Sequence, residues 1–327
     1  AVLGDFLEPH HHAQIDSTAA RCGFAVDYYP DGHVPAELAG QYEVLYGMPD
    51  RAALRTFTSL KWFCGSFAGV DAYLDDALYP SPDVILTNSS GAYGVTIAEH
   101  LIMVTLMLLR HASAYVLEAA AHRWGPVLPM RSIMGSTITV VGTGDIGTEF
   151  ARRAKAMGAK SIRGVRRTMK PADPAFDSVH THDQLESLLP DTDLLVLALP
   201  STPDTIGFLS RRRIALLPKA AFVINVGRGS AIDEAALAQA IEKRGILAGL
   251  DVAAHEPLDK ESPLWELENC LITPHVSGFF HLAETKRRMI EIAAENIRRH
   301  IDGRPYMNAI DPSTGYIADK YGDRLRF

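Results

Sequence analysis

Short apolar segments rich in β-branched residues alternate with segments of helical apolar spacing along most of the chain. In its first part the pattern predicts strands at residues 24–28, 43–46, 61–63 and 84–86, with a helix at 51–58 between them. Strands that alternate with helices in this way are typical of an α/β layer built on a parallel sheet.

A long apolar segment without proline, residues 93–122, predicts one long helix or two consecutive helices that cross to a second domain. The strands predicted beyond it are apolar throughout, as expected when helices cover both faces of a parallel sheet. These strands are 137–141, 161–165, 194–199, 221–226, 247–252 and 270–273, and helices are predicted at 146–157, 234–243 and 282–300.

The length of the chain bears on its domain organisation. A chain of 327 residues is long for one compact core, which indicates two domains. The tail after the last predicted helix is short and polar, so we expect it to pack back on the first domain. The predicted first domain therefore comprises residues 1–93 and 301–327, and the predicted second domain comprises residues 94–300.

Composition and charge restrict the partners and the compartment. The formal net charge of −7 disfavours nucleic acid and anionic membranes, and no basic tract opposes it. The longest apolar run, residues 101–109, is half the length that spans a bilayer. Three scattered cysteines, Cys22, Cys64 and Cys270, fit reduced thiols, and no signal-peptide pattern opens the sequence. We therefore expect a cytoplasmic protein with no membrane or nucleic-acid partner.

A run of three histidines, His10, His11 and His12, is the one candidate for metal binding. No acidic or cysteine partners cluster around it, so we interpret it as a solvated turn or the start of a helix. No metal site is predicted.

The segment 141–147, VGTGDIG, contains the GxGxxG pattern between a predicted strand and a predicted helix. In that context Gly142 permits the tight turn, Gly144 lets the backbone approach a pyrophosphate, and Gly147 lets the helix pack on the strand. The helix N-terminus then offers free N–H groups to phosphates. The alternative is a purely structural β-turn-α junction. We interpret the segment as a dinucleotide-binding loop.

The next predicted strand ends in Arg166 and Arg167, where NAD-binding proteins carry an acidic residue for the ribose diol. Two guanidinium groups suit a 2'-phosphate, because arginine binds phosphate oxygens in bidentate fashion. The alternative is a solvated basic turn. We hypothesise a preference for NADP(H), with NAD(H) as a possible cofactor.

Three polar residues follow strands of the second domain: Arg228, Glu256 and His275. Ligands of open α/β sheets bind at the carboxyl ends of the strands, which is the edge that also carries the glycine loop. A histidine can donate a proton to a carbonyl oxygen, a carboxylate can orient that histidine, and an arginine can bind a substrate carboxylate. Each of the three is also a common solvated loop residue. Together they indicate hydride transfer to a keto acid.

Asp251 ends its predicted strand beside these residues. Its carboxylate is a candidate ligand for the nicotinamide carboxamide, and it is equally a candidate cap of a helix or turn.

The chain resembles the D-isomer-specific 2-hydroxyacid dehydrogenases, over most of residues 61–278 and in the order of the family's motifs. The matching segments are AGVD (68–71), IAEH (97–100), VVGTGDIG (140–147), LALPSTPDTIGFL (197–209), INVGRGSAIDEAAL (224–237), AGLDVAAHEPL (248–258) and SPLWELENCLITPHVSG (262–278).

The resemblance implies a fold and a set of roles. It implies two doubly wound α/β domains, a flavodoxin-like substrate domain and a Rossmann cofactor domain, with the active site in the cleft between them. Arg228, Glu256 and His275 are then the catalytic residues, with His275 as general acid paired to Glu256. Ala68 and Gly69 bind the keto acid through backbone N–H groups, together with Arg228. The residues implied or predicted at the cofactor are Gly142, Gly144, Asp145, Ile146, Gly147, Arg166, Arg167, Leu199, Pro200, Thr205, Val226, Asp251 and Ser277.

The sequence thus predicts a reductase of a small 2-keto acid, such as glyoxylate or hydroxypyruvate, that forms the D-2-hydroxy acid. Formate dehydrogenases of the superfamily have glutamine where this chain has Glu256, which argues against formate. Members of the family are usually homodimers joined through the cofactor domain, so a homodimer is expected. Two alternatives stay open: a dehydrogenase that runs toward oxidation with NAD, and a nucleotide-sensing protein of the same fold without turnover.

Overall fold

The computed structural model describes residues 1–171 and 173–318. The chain divides into two compact units, one formed by Ala1–Tyr93 with the described residues from Phe280 onward, and the other by Gly94–Phe279. Each unit has a parallel sheet of its own, as the alternation of strands and helices predicts.

The first unit contains, within the described residues, a five-stranded parallel sheet in the order β2-β1-β3-β4-β5. Counted along the chain, this is the 2-1-3-4-5 order of flavodoxin-like sheets. The two-residue strand β1 was not predicted, and the helix expected at 51–58 is a 3-10 helix over Arg51–Thr56. The elements are β1 Val2–Leu3, α1 Pro9–Arg21, β2 Tyr28–Tyr29, α2 Ala36–Ala39, β3 Val44–Gly47, β4 Trp62–Gly65 and β5 Ile85–Thr87.

The histidine run belongs to the first turn of α1. The backbone N–H of Glu8 donates to His11 Nδ1 at 3.1 Å, and the Glu8 side chain caps the helix in return. The run is therefore a helix start, as one of the two interpretations predicts, although His11 itself is buried.

The second unit contains, among its described residues, a seven-stranded parallel sheet in the order β12-β11-β10-β9-β6-β7-β8. The strand β8 was not predicted, because it is mostly polar and each of its side chains is only partly buried. The elements are α3 Gly94–Leu109, α4 Ala112–Ala120, β6 Thr137–Val141, α5 Asp145–Ala156, β7 Ser161–Arg166, β8 Ser178–Thr181, α6 Leu185–Leu188, β9 Leu194–Leu197, α7 Arg211–Leu216, β10 Phe222–Asn225, α8 Glu234–Arg244, β11 Leu247–Leu250 and β12 Cys270–Ile272.

The central strands β9, β10 and β11 are buried along their whole length. This burial explains why their sequences are apolar on both faces. The strand order reverses at β6, which pairs with β7 on one side and with β9 on the other. In doubly wound sheets the carboxyl edge at such a reversal is where ligands bind.

The last helix, α9 Ala283–Ile301, belongs to the first unit. Its buried residues Ile290 and Ala293 join a core cluster with Val2 and Trp62 of the first sheet. The second unit therefore ends at Phe279, whereas the sequence analysis placed its end at residue 300. The difference arises because the apolar face of α9 is buried against the first sheet. Residues 319–327 of the predicted first domain lie outside the described residues.

Within the described residues no single helix is long and apolar enough to cross a membrane. Helices α3 and α4 reach the required length and composition only as a pair, and a bend of 70° separates them.

Candidate active site

The glycine loop connects β6 to α5 with a geometry that needs two of its glycines. Gly142 has φ +101°, and a Cβ there would lie 2.4 Å from the backbone oxygen of Ala198. A Cβ on Gly147 would lie 2.0 Å from the backbone oxygen of Gly142. These contacts allow the tight turn and the close packing of α5 on β6 that phosphate-binding loops use.

Gly144 differs from Gly142 and Gly147, the other two glycines of the motif. Among the described residues, no atom lies within 4 Å of the position that a Cβ on Gly144 would take, and its φ is ordinary. The packing of the protein therefore does not explain this glycine, whereas an open approach to the N-terminal turn of α5 does. Ile146 belongs to that turn. The buried hydroxyl of Thr143 has no hydrogen-bond partner in the described chain.

Asp145 begins α5, but its carboxylate lies against another helix. A Cβ on Gly94, the first residue of α3, would stand 2.4 Å from Asp145 Oδ1. Because the N-terminus of a helix carries partial positive charge, α3 offers this carboxylate a favourable environment. Asp145 thus contributes its backbone to the glycine loop while its side chain lies at the start of α3.

Arg166 and Arg167 lie directly beside the glycine loop. The N–H of Gly142 donates to the carbonyl of Val165 at 2.8 Å, and Arg166 is the last residue of β7. Arg166 Nη1 donates to the backbone oxygen of Lys170 at 3.4 Å, and Arg167 is exposed. The structure therefore places two guanidinium groups at the carboxyl end of the strand next to β6, where the ribose of a dinucleotide is recognised.

Leu199, Pro200, Thr205 and Val226 follow β9 and β10 on the same edge of the sheet. Leu199, Thr205 and Val226 are buried. Thr205 Oγ1 donates to the Pro200 oxygen at 2.7 Å and accepts from the N–H of Thr202 at 2.8 Å. The Thr205 hydroxyl is thus engaged within its own turn, where it fixes the loop after β9.

Arg228 is held between two glycines in close contact with neighbouring loops. A Cβ on Gly227 would lie 2.5 Å from the backbone oxygen of Leu199, and one on Gly229 would lie 1.8 Å from the carbonyl carbon of Ala253. Buried Asn225 adds two hydrogen bonds, to the Arg228 oxygen at 2.9 Å and from the Gly227 N–H at 3.0 Å. The sequence analysis missed Asn225, although an amide at the end of the apolar strand β10 was a signal.

Glu256 and His275 form a close pair. His275 Nδ1 lies 2.7 Å from Glu256 Oε2, and the N–H of Ala253 donates to Glu256 Oε1 at 3.1 Å. The side chains of His275 and Glu256 keep 46% and 39% of their exposure, so both remain accessible to solvent and to ligands. His275 has a left-handed backbone with φ +53°.

Asp251 is buried, with 3% of its surface exposed, and its carboxylate binds the loop that carries His275. Oδ1 accepts from the Thr273 hydroxyl at 2.6 Å and from the Val276 N–H at 3.0 Å, and Oδ2 accepts from the Ser277 N–H at 3.1 Å. His100 Nε2, on α3, lies 3.1 Å from Thr273 Oγ1. The Asp251 carboxylate thus joins the end of β11 to a loop more than 20 residues away, and the sequence analysis missed the roles of His100 and Thr273.

Ala68 and Gly69 lie in the other unit, in the loop after β4. Asn88 Nδ2 donates to the Ala68 oxygen at 2.5 Å, and the N–H of Ser89 donates to the Phe67 oxygen at 2.8 Å. The residues after β5 therefore fix the shape of this loop.

Burial lowers the pKa of His100, and the nearby Asp251 carboxylate opposes that shift.

In the described part of the chain, no group of three or more His, Cys, Asp or Glu side chains is placed to hold a metal ion.

The chain is similar in sequence to a known protein family and to characterised relatives. Residues 102–277 match the family model of the D-isomer specific 2-hydroxyacid dehydrogenase, NAD binding domain. The chain is 30% identical over 272 residues to glyoxylate/hydroxypyruvate reductase B of Serratia proteamaculans, which covers 81% of this chain and 82% of that protein.

Two solved structures are similar over nearly the whole chain. A D-isomer specific 2-hydroxyacid dehydrogenase from Xanthobacter autotrophicus, in complex with NADPH and MES, has a TM-score of 0.78, 31% identity and coverage of 93% of this chain and 96% of that one. An NADPH-dependent glyoxylate/hydroxypyruvate reductase from Sinorhizobium meliloti, in complex with NADP and sulfate, has a TM-score of 0.77, 26% identity and coverage of 96% and 98%.

Proposed function

We propose that this chain, which belongs to the D-isomer specific 2-hydroxyacid dehydrogenase family, reduces a small 2-keto acid to the D-2-hydroxy acid with NADPH. The observation that carries the proposal is the 2.7 Å contact between His275 Nδ1 and Glu256 Oε2. Both residues follow strands at the sheet edge that also carries Arg228 and the glycine loop. Glyoxylate and hydroxypyruvate are the substrates we propose, because relatives are named as reductases of these acids.

In this proposal His275 is the general acid. Its Nδ1 is engaged with Glu256, so the proton for the carbonyl oxygen comes from Nε2. The glycine loop and Arg166 would hold the nicotinamide cofactor, which would supply the hydride for the carbonyl carbon. As the carbonyl oxygen accepts the proton, His275 becomes neutral and is protonated again from solvent, to which its side chain is accessible. Glu256 keeps the ring oriented through its contact with Nδ1.

Arg228 binds the carboxylate of the keto acid in this proposal. The protein is negatively charged overall, so an anionic substrate needs a local positive group. The packing of Gly227 and Gly229 fixes the backbone of Arg228 beside the loops after β9 and β11. We propose that the backbone N–H groups of Ala68 and Gly69 complete the substrate site.

The residues of the glycine loop and of β7 fit NADPH. The open approach at Gly144 suits the pyrophosphate, and Arg166 and Arg167 suit the 2'-phosphate. Two similar structures were solved with NADPH or NADP bound. We therefore propose that NADPH is preferred and that NADH is a weaker alternative. We propose further that Leu199, Pro200, Thr205, Val226, Asp251 and Ser277 complete the cofactor site.

We propose that two copies of the chain associate through α4 and the segment that follows it. Helix α4 has no buried residue among those described, and Leu117, Trp124 and Val127 are exposed. Several large apolar side chains exposed within one short segment suit an association site. The resemblance to the family supports a second copy as the partner, because its members are usually joined through the cofactor domain.

A cytoplasmic location is proposed from the cysteines. All three lie in the described part of the chain and each is a free thiol. Free thiols are typical of proteins in reducing compartments.

The experiment that tests the function is the rate of NADPH and NADH oxidation with a panel of 2-keto acids, for the wild type and His275→Ala. We expect fast NADPH-dependent turnover of glyoxylate or hydroxypyruvate, and a loss of at least about 100-fold in the variant, as is usual for a general acid. Tight NADPH binding without turnover of any acid would instead support a nucleotide sensor, which the intact His275–Glu256 pair does not favour.

A further inference from the structure

We propose that His100 is a positioning residue, which acts through Thr273 and Asp251 to hold the loop of His275 in the conformation needed for proton donation. This inference rests on the proposed function, since it takes His275 as the proton donor. It concerns a helix, α3, that carries none of the predicted catalytic or cofactor residues.

The packing of α3 on the sheet brings His100 to the end of β11. A Cβ on Gly249, in β11, would stand 2.4 Å from Val104 Cγ1 of α3, so the glycine lets the helix approach the strand closely. His100 precedes Val104 by one turn and lies on the same face of the helix. Its side chain keeps only 11% of its exposure and reaches Thr273 and Asp251.

The directions of the hydrogen bonds assign the tautomer of His100. Thr273 Oγ1 lies 2.6 Å from Asp251 Oδ1, and a carboxylate can only accept, so the hydroxyl donates its single hydrogen there. In its contact with His100 Nε2, at 3.1 Å, the same hydroxyl must accept. His100 Nε2 therefore carries a hydrogen and donates to Thr273. Burial keeps the pKa of His100 below its usual range, so the neutral ring holds its one hydrogen on Nε2.

Asp251 connects Thr273 to the loop of His275 through hydrogen bonds. Its two carboxylate oxygens accept from the N–H groups of Val276 and Ser277, and its backbone oxygen accepts from the N–H of His275 at 2.8 Å. Three consecutive residues of the loop are thus bound to one residue whose side chain is fixed by Thr273 and His100.

The loop needs such a constraint because His275 has a left-handed backbone, with φ +53°. This conformation is unfavourable for a residue with a Cβ and persists only where the surroundings hold it. If Thr273 loses the donor at His100, its hydroxyl is free to rotate and the Asp251 carboxylate loses its fixed orientation. We then expect His275 to leave its 2.7 Å contact with Glu256.

The test compares His100→Leu with His100→Gln, whose amide nitrogen can take the place of Nε2. Glu99→Leu, at the exposed neighbouring position of α3, is the control for effects on the helix. We expect His100→Leu to lower kcat by about tenfold or more, as small displacements of catalytic groups do, with KM for the keto acid changed less than about twofold. His100→Gln should recover most of kcat, and Glu99→Leu should behave as the wild type.

Crystal structures of the same proteins give a readout that does not depend on turnover. We expect the His275 Nδ1 to Glu256 Oε2 contact to be retained in the wild type and in His100→Gln, and lost in His100→Leu. A wild-type contact and kcat in His100→Leu would overturn the proposal, as would equal losses in both His100 variants, which would indicate packing alone. If the wild type reduces no 2-keto acid, the proposed function fails, and the crystal structures still decide whether His100 positions the loop.

Discussion

Gly229 lies so close to Ala253 that a Cβ on it would stand 1.8 Å from the Ala253 carbonyl carbon. The obstacle is backbone and cannot rotate away, so any side chain at residue 229 separates the loop after β10 from the loop after β11. These loops carry Arg228 and Glu256. The packing of two loops thus sets the spacing of two residues that we propose to be catalytic.

Gly229→Ala should therefore affect both stability and turnover. We expect a decrease of about 1–3 kcal/mol in the free energy of unfolding, typical of overpacking, and a decrease in kcat/KM of about tenfold or more, because Arg228 is displaced. Urea denaturation and steady-state kinetics measure the two effects. The control is Gly40→Ala, where a Cβ meets only the hydroxyl of the exposed Thr58, which can rotate away. Wild-type kinetics in Gly229→Ala would show that the loop contact does not position Arg228.

The position of Arg166 at the end of β7 predicts a change in cofactor preference. Arg166→Asp should lower kcat/KM for NADPH by about 10- to 100-fold, since a hydrogen bond to a charged group contributes about 1.5–3 kcal/mol, and should raise kcat/KM for NADH. Lys160→Asp is the matched control: it makes the same change of charge just before the other end of the same strand. An unchanged ratio of NADPH to NADH activity in Arg166→Asp would remove Arg166 from the cofactor site.

Most of the fold of the second unit could be predicted from the sequence, because its central strands β9, β10 and β11 are buried along their whole length and are therefore almost entirely apolar. β6 was predicted with the observed bounds, Thr137–Val141. The strands β1 and β8 were missed for opposite reasons. β1 is two residues long, and β8 is mostly polar because it lies at the edge of its sheet. The apolar face of α9 predicts a helix but does not indicate which sheet it covers.

The candidate site was predictable where its residues follow strands directly, as Arg228 and His275 do. The contact between His100 and Thr273 was not, because the two residues are 173 positions apart and neither is unusual in its local sequence. The orientation of the Asp145 carboxylate toward α3 depends in the same way on how two helices pack.

Buried and partly buried histidines predict a loss of stability in mild acid. Burial lowers the pKa of His11, His100, His182 and His300 below the usual 6.5. Below pH 6.5 the unfolded chain therefore binds protons that the folded chain does not, so the free energy of unfolding is highest above that pH and decreases as the pH falls. Each such proton contributes at most about 1.4 kcal/mol per pH unit.

Urea denaturation at pH 7.5, 6.5 and 5.5 measures this effect. We expect progressively lower midpoints, and a smaller decrease in His182→Gln, which removes one of the four groups. His122→Asn, a change at an exposed histidine, is the control and should retain the full decrease. A free energy of unfolding that stays constant between pH 7.5 and 5.5 would contradict the prediction.

The exposed apolar side chains of α4 predict that a charge there separates two copies of the chain. Leu117→Glu should lower the mass measured by light scattering from that of two chains to that of one, because a buried unpaired carboxylate strongly opposes association. Leu38→Glu, at a comparably apolar exposed position in the first unit, should leave the mass unchanged. Wild-type protein that has the mass of a single chain at micromolar concentration would refute the association. A dimer that persists in Leu117→Glu would place the contact elsewhere on the chain.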